Sequence, residues 1–241
     1  MSRALRASAL VAAEADGAGG TRLRTLRSDG PLALRQAAGA VYLVAAAAGP
    51  LGGDELSLRC TVGAGSVLRL RSAAATLLLP DAGGARSRCE LHAAVEAGAT
   101  LDCALEPLIA GSGCRHRQAS TVSLADGASL RWREELVLGR HGEPPGECTL
   151  RLDVEYGGAA LLRHELDIGR WHASPAVLGD ARAVGSLLLA GPRWTAGAQS
   201  YAAAALAIMP LAGPGVLVQA LAPDAAKLRR LLDHAEALLL P

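Results

Sequence analysis

The chain has 241 residues, of which 51% are hydrophobic, so it is long enough for one large domain or two small ones with a sizeable core. Its formal net charge is +1, which provides neither the basic excess that binds nucleic acid or an anionic membrane nor an acidic tail for a basic partner. We therefore expect no nucleic-acid partner and no membrane partner.

The N-terminal residues resemble a weak signal peptide, because two arginines precede a short apolar run. Glu14 and Asp16 interrupt that run before any clean cleavage region, so we expect a mature N-terminus. The apolar run at 41–49 is far too short to span a bilayer. Five cysteines form an odd set without a Cys-x-x-Cys pair, which favours reduced thiols and a cytoplasmic location over a disulfide framework.

A glycine-rich turn at 48–58 leads into two carboxylates, Asp54 and Glu55. Glycine-rich turns often cradle phosphate, but a phosphate loop also needs a lysine and a hydroxyl residue after its glycines. Carboxylates in those positions would repel phosphate, so the sequence excludes a nucleotide site of this kind. The residues alone indicate a β-turn in which glycine and aspartate have their ordinary turn roles.

Alternation of apolar and polar residues predicts that the chain is mostly β. In 66–72, Leu68 and Leu70 share one face while arginines occupy the other. Similar runs occur at 148–155, 161–168, 184–191 and 215–222. A period of two places one face of each strand on a core and the other in water.

A weak internal repeat accompanies these strands. Gly65, Gly98 and Gly127 each lie in a turn followed by a small residue and a leucine, at intervals of 33 and 29 residues. Glycine accepts the positive φ that tight turns require, and such intervals indicate stacked units. We predict strands stacked in a helical or layered arrangement, as in a β-solenoid or a sandwich, and the unequal intervals disfavour a strict solenoid.

Helices are few, and we predict about two. The segment 224–240 has Asp224 as a plausible N-cap and a leucine-rich face, and 198–209 is the second candidate. The apolar face of 224–240 is a candidate docking element, although a core face is the more ordinary interpretation. Because no strong interdomain linker interrupts the chain, we predict a single domain over 1–241.

Metal-binding and nucleophile motifs are absent from the sequence. Cys114 and His116, two positions apart, are the most closely spaced Cys/His pair, and they match no zinc motif. A transient soft-metal contact there is conceivable, but a surface loop is the favoured interpretation. No Gly-x-Ser-x-Gly elbow carries a serine nucleophile.

Glu134 lies on the apolar face of a predicted strand, beside the neighbouring Glu135. Adjacent strand residues point to opposite faces, so these two cannot form a facing acid–base pair. A carboxylate on a core face must be paired or must line a wet channel, and the sequence leaves a buried salt bridge and an internal water-filled passage equally open. Glu106 ends another strand on the face opposite the leucines, where by itself it is a solvated strand end.

Several ordered blocks resemble the urease accessory protein family UreD, called UreH in some organisms. The resemblance is clearest over 20–143 and weaker over 144–241. The blocks are GPLALRQ (30–36), GPLGGDELSL (49–58), SAAATLLLP (72–80), GATLDCALEPLI (98–109), RHRQASTVSLADGASL (115–130) and ELVLGRHGE (135–143). Their order, spacing and type all match.

The resemblance implies a non-enzymatic chaperone with a mostly β fold and a couple of helices. It implies a scaffold that binds urease apoprotein, recruits a UreF-like protein and, through it, a UreG-like GTPase, so that nickel reaches the urease active site. It also implies transient nickel rather than a tightly bound cofactor. An internal tunnel is the proposed nickel route in this family.

The resemblance also assigns candidate site residues. Asp54, Thr76 and Glu134 match family positions associated with the tunnel, and Glu106 and Glu143 fall in two further matching blocks. Sparse oxygen ligands suit a passage because they bind Ni²⁺ weakly enough to release it, whereas clustered His or Cys would retain it.

Two other hypotheses remain open at this point. One is a β-solenoid hydrolase or lyase that uses Glu106, Glu134 or Asp54, which would need carboxylates that converge in one cleft. The other is a urease-independent binding module.

Overall fold

The computed structural model describes residues 4–169, 172–175, 177–194 and 199–239, which form two packed β-sheets with a helix on one outer face. The first ten strands are β1 (Arg6–Ala15), β2 (Thr21–Arg27), β3 (Leu32–Ala37), β4 (Ala40–Ala45), β5 (Glu55–Val62), β6 (Val67–Ser72), β7 (Thr76–Leu78), β8 (Ser87–Val95), β9 (Thr100–Ala104) and β10 (Leu108–Ala110). The next eight are β11 (Arg115–Leu124), β12 (Ser129–Val137), β13 (Glu147–Tyr156), β14 (Ala159–Ile168), β15 (Ala183–Ala190), β16 (Tyr201–Ala203), β17 (Leu206–Pro210) and β18 (Gly215–Ala222). A short 3-10 helix spans Pro192–Trp194, and the helix α1 spans Ala225–Leu239.

Between β4 and β13 the chain passes repeatedly from one sheet to the other. The seven-stranded sheet has the order β14-β13-β11-β8-β5-β1-β2, and the path of the eleven-stranded sheet is β16-β17-β18-β15-β12-β9-β6-β4-β3, with β7 and β10 paired beside it. The pairs β5–β8, β8–β11 and β11–β13 are parallel, as are β6–β9 and β9–β12. The chain therefore coils between two layers, which confirms the predicted mostly β fold of stacked, layered strands.

The repeated glycine turns connect one sheet to the other. Gly65, Gly98 and Gly127 have φ of 67°, 69° and 79°, as the repeat predicted. Neighbouring coils are also hydrogen-bonded at this edge, since the Ala125 amide donates to Val95 at 2.9 Å and the Gly157 amide donates to Leu124 at 2.9 Å. The turns thus stack in register although their sequence spacing is unequal.

The main core lies between the sheets and contains the alternating apolar residues that the sequence identified. Leu68 and Leu70 are buried, as are Leu152 and Val154 on the opposing layer. All five cysteines are free. Every residue of β15 is buried, because one face of that strand meets this core and the other meets α1.

The helix α1 begins as predicted, since the Lys227 amide donates to the Asp224 carboxylate at 2.7 Å. Leu228, Leu232 and Ala235 are fully buried against β15 and β18. The apolar face is therefore a core face. No described helix is long and apolar enough to cross a bilayer.

The predicted helix at 198–209 is wrong. Its described residues form the antiparallel hairpin of β16 and β17, and β17 extends the eleven-stranded sheet beside β18; position 198 lies outside the described residues. The alanine-rich composition favoured a helix, but Leu206 and Ile208 alternate with exposed or half-buried neighbours and are buried on the sheet. Residues 1–3, which belong to the predicted mature N-terminus, also lie outside the described chain.

Candidate functional site

A cavity of about 220 Å³ lies between the two sheets. Its walls are mostly apolar, with Leu58, Leu91 and Cys103 among the core residues that face it. Asp54, Thr76, Glu106 and Glu134 from the sequence analysis also line it, as do residues 72–76 and 47–50 near its rim. Four of the five predicted site residues therefore share one cavity.

Asp54 holds the glycine-rich turn closed. Its two carboxylate oxygens accept hydrogen bonds from the backbone amides of Leu5 and Leu51, each at 2.8 Å, and the residue is buried. Gly53 in the same turn has φ of 88°, a conformation that glycine adopts at little cost. Asp54 is thus a structural turn residue, as the residues alone indicated, and it also contributes to the cavity wall.

Thr76 reaches the cavity from the short strand β7. The Thr76 amide donates to the carbonyl of Pro107 at 2.9 Å, and Thr76 pairs with Leu108 of β10 in the parallel ladder. These contacts fix the strand whose half-buried threonine lines the cavity.

Glu134 is the buried carboxyl group of the cavity. Burial raises its pKa to about 7, and the donors Trp132 and Ser120 oppose that rise. The contacts are weak, because Ser120 Oγ lies 3.4 Å from Glu134 Oε1 and the Trp132 indole N–H makes no hydrogen bond of normal geometry. Among the described residues no basic side chain pairs with Glu134, so the buried salt bridge is excluded there, and Glu134 lines the cavity.

The buried salt bridge belongs instead to the adjacent Glu135. Arg133 Nε donates to Glu135 Oε1 at 2.7 Å, and both side chains are almost fully buried. Glu135 faces α1 on the opposite side of β12, as strand geometry requires. One oxygen, Glu135 Oε2, is buried without a hydrogen-bond partner among the described residues.

A polar stripe on β11 was missed by the sequence analysis. His116, Gln118 and Ser120 all line the cavity from the seven-stranded sheet. They share the inward face of β11 with Val122 and Leu124, so extending that alternation toward the start of the strand would have found them.

The surface-loop interpretation of Cys114 and His116 is wrong, because both are about 1% exposed. His116 Nδ1 lies 2.9 Å from Ser87 Oγ, and His116 Nε2 has no partner among the described residues. Burial lowers the pKa of the His116 imidazole to about 4, so the ring is neutral at physiological pH.

Glu106 lies on the outer face of the eleven-stranded sheet, as expected, but it is not simply solvated. Arg229 Nη2 of α1 donates to Glu106 Oε2 at 2.9 Å. The contact joins residues 123 positions apart in sequence, and no sequence pattern identified it.

Glu143 is the predicted site residue that the structure does not bring to the cavity. It lies in the loop between β12 and β13, where Arg140 Nη2 donates to Glu143 Oε1 at 2.8 Å. The Arg140 guanidinium and amide lower the pKa of Glu143 to about 2. Glu143 therefore stabilises this loop through its contacts with Arg140.

Tight metal binding has no preformed site in the described part of the chain, where no group of three or more His, Cys, Asp or Glu side chains is arranged to hold an ion. The cavity lining instead includes the weakly held carboxyl group of Glu134, the turn carboxylate of Asp54, the ion-paired Glu106 and Glu135, a threonine and a neutral imidazole. Such a wall can contact a hydrated cation but cannot enclose it.

Comparison with known proteins decides the family. The family described as UreD urease accessory protein matches residues 6–241. This chain belongs to the UreD urease accessory protein family. Family membership implies a role in urease maturation.

Individual UreD relatives agree over nearly their whole length. A protein named urease accessory protein UreD from Parafrankia sp. (strain EAN1pec) is 44% identical, over 98% of this chain and 89% of the relative. UreD proteins from Streptomyces avermitilis and Streptomyces coelicolor are also 44% identical, over 96% and 97% of this chain and 96% of each relative. The UreD resemblance that the sequence blocks indicated is thus confirmed.

Proposed function

We propose that this chain is a non-enzymatic, cytoplasmic scaffold of urease maturation, which binds urease apoprotein and recruits a UreF-like protein and, through it, a UreG-like GTPase. We further propose that its cavity forms part of the path by which nickel reaches urease. The observation that carries the nickel role is Glu134, a carboxyl group without a cationic partner among the described residues, inside a mostly apolar cavity of a UreD-family chain.

The chemistry of the cavity suits an ion that is bound weakly and then released. Oxygen ligands hold Ni²⁺ less firmly than thiolates or clustered imidazoles. At and above neutral pH the Glu134 carboxylate carries the charge that attracts a cation, while Thr76 adds a neutral oxygen and Asp54 supports the rim. Since Asp54 is engaged by two backbone amides, its contribution is secondary to that of Glu134.

The hydrolase alternative is disfavoured by the partners of the other carboxylates. Two-carboxylate hydrolysis needs a free acid and a free base or nucleophile about 5–9.5 Å apart. Asp54 accepts two backbone hydrogen bonds, and Glu106 is paired with Arg229. Only Glu134 among the three candidates lacks a strong partner.

Two measurements test the proposal. Co-purification of the chain with urease apoprotein and a UreF-like partner tests the scaffold, and failure to associate when all partners are folded would exclude it. Glu134→Ala should leave assembly intact and lower the nickel content of urease, whereas Glu90→Ala, at an exposed carboxylate on β8, should change neither. Unchanged nickel content in Glu134→Ala would remove the nickel path and leave the scaffold role, whereas failure to bind urease apoprotein would favour the urease-independent binding module.

A further inference from the structure

The cavity lining includes four consecutive residues of strand β12, from Trp132 to Glu135. The side chains of Trp132 and Glu134 lie on the inner face of the eleven-stranded sheet, and those of Arg133 and Glu135 lie on the outer face beside α1. The cavity therefore meets the edge of β12 that faces β9 and β10, where residues 105–108 also contribute to its lining.

The neighbouring strand is interrupted at this edge. β9 pairs with β12 up to Ala104 opposite Arg133, and β10 resumes the pairing at Leu108 opposite Leu136. Residues 105–107 leave the ladder, so within the described chain Glu134 and Glu135 have no strand partner on this side and a gap opens in the ladder. Glu106, in the centre of the interruption, is among the residues that line the cavity.

Five side chains, which we call the outlet cluster, surround the outer end of this gap. They are Glu106, Arg133, Glu135, Arg229 and Asp233. Arg229 Nη2 lies 2.9 Å from Glu106 Oε2, and Arg229 Nε lies 3.7 Å from Glu135 Oε1. One guanidinium of α1 thus bridges the two carboxylates that line the gap.

The carboxylates of the cluster are not fully satisfied by these arginines. The Glu135 side chain is 1% exposed, and its Oε2 has no hydrogen-bond partner in the part of the chain that the structure describes. A buried, unpartnered carboxylate oxygen is costly unless a donor or a cation reaches it. This oxygen belongs to a residue that is also part of the cavity lining.

We propose that Glu106 and Glu135 form a cation site at an outlet through the eleven-stranded sheet, and that Arg229 closes the outlet by occupying the place of a hydrated divalent cation. The proposal rests on the proposed function for the identity of the cargo. The outlet itself rests on the interruption of β9 and on the cavity lining.

Arg229, rather than Arg133, is the group that a cation displaces. The Arg133 side chain is 8% exposed and binds both Glu135 and Asp233. The Arg229 side chain is 44% exposed and makes one short ionic contact. Exposed ion pairs contribute little to stability, so Arg229 can swing into solvent while Leu228 and Leu232 keep α1 packed.

Equilibrium dialysis of Ni²⁺ against the purified full chain tests the outlet. Arg229→Gln removes the charge while keeping a polar side chain. It should tighten Ni²⁺ binding about tenfold, because the guanidinium charge beside the two carboxylates no longer repels the Ni²⁺ ion. Arg229→Lys and the exposed neighbour variant Arg230→Gln should bind as the wild type does. The double variant Glu106→Gln/Arg229→Gln should lose the tighter Ni²⁺ binding of Arg229→Gln. Equal affinity of Arg229→Gln and the wild type would overturn the proposal.

A second measurement does not depend on the folding of the Arg229 variant. Glu106→Gln alone should weaken Ni²⁺ binding by the wild-type chain, and unchanged binding would contradict the site. These experiments need no urease, so they are independent of the nickel-loading test. Tighter binding by Arg229→Gln together with normal urease nickel content in Glu134→Ala would keep the outlet site and remove the nickel path.

Discussion

Glu134 and Glu135 are neighbours in the sequence, yet their carboxylates occupy opposite faces of the eleven-stranded sheet. Glu135 is bound by Arg133 at 2.7 Å beneath α1, whereas the closest hydrogen-bond contact of Glu134 is Ser120 Oγ at 3.4 Å in the cavity. The same residue type is therefore ion-paired at one position and weakly held at the next.

Glu134→Gln should change how stability depends on pH. Burial raises the Glu134 pKa from 4.5 to about 7, so between these values the folded chain keeps a proton that the unfolded chain has released. This carboxyl group therefore makes the folded state less stable as pH rises through that window, by up to about 3 kcal/mol. In urea, the free energy of unfolding of Glu134→Gln should exceed that of the wild type by more at pH 8 than at pH 5.

The control for the pH experiment is Glu55→Gln, because the Glu55 side chain is 51% exposed and pairs with the exposed Arg6. Its effect should be small at both pH values. If Glu134→Gln and the wild type had parallel stability–pH curves, the elevated pKa of Glu134 would be refuted.

Asp54→Ala should destabilise the chain by about 2–4 kcal/mol, because it removes a buried carboxylate that accepts hydrogen bonds from the part-buried amides of Leu5 and Leu51. Asp54→Asn keeps one acceptor oxygen and should cost less. The free energy of unfolding in urea measures both effects, and Glu55→Ala at the adjacent exposed position should lose no more than about 0.5 kcal/mol. A loss that small in Asp54→Ala would mean that the turn does not depend on this carboxylate.

Gly65→Ala should cost about 1–2 kcal/mol. Gly65 has φ of 67°, and nothing lies within 4 Å of an added Cβ, so the cost arises from the left-handed backbone and not from a clash. Gly169→Ala is the matched control, because that glycine is outside the left-handed region and its added Cβ has ordinary contacts. Equal melting temperatures for the two variants would disprove the requirement for glycine in the stacked turn.

Leu232→Ala should destabilise the chain by about 2–5 kcal/mol, since Leu232 is fully buried between α1 and the sheet and truncation leaves a cavity. Leu238 on the same helix is 64% exposed, and Leu238→Ala should have little effect. Chemical denaturation distinguishes them. A strong loss in Leu238→Ala instead would indicate that the helix docks through its other face.

The success of sequence prediction depended on the range of the interactions involved. Alternation located β6 and β13 well, because the period of a half-buried strand is a local property. The helix prediction at 198–209 failed because pairing with β18, which follows it in the chain, overrode local alanine propensity. His116 was misplaced for a related reason, since its burial depends on strands β8 and β13 on either side.

The sequence by itself determined the UreD family, the stacked glycine turns and the carboxylates that needed an explanation. Each of these is carried by residue type and local spacing, which a single chain displays directly. Only the tertiary structure decided that Glu134 faces a cavity, that Asp54 holds the N-terminal strand, and that Arg229 covers Glu106. Those relationships join residues on different coils, and packing of the two sheets and α1 brings them within contact distance.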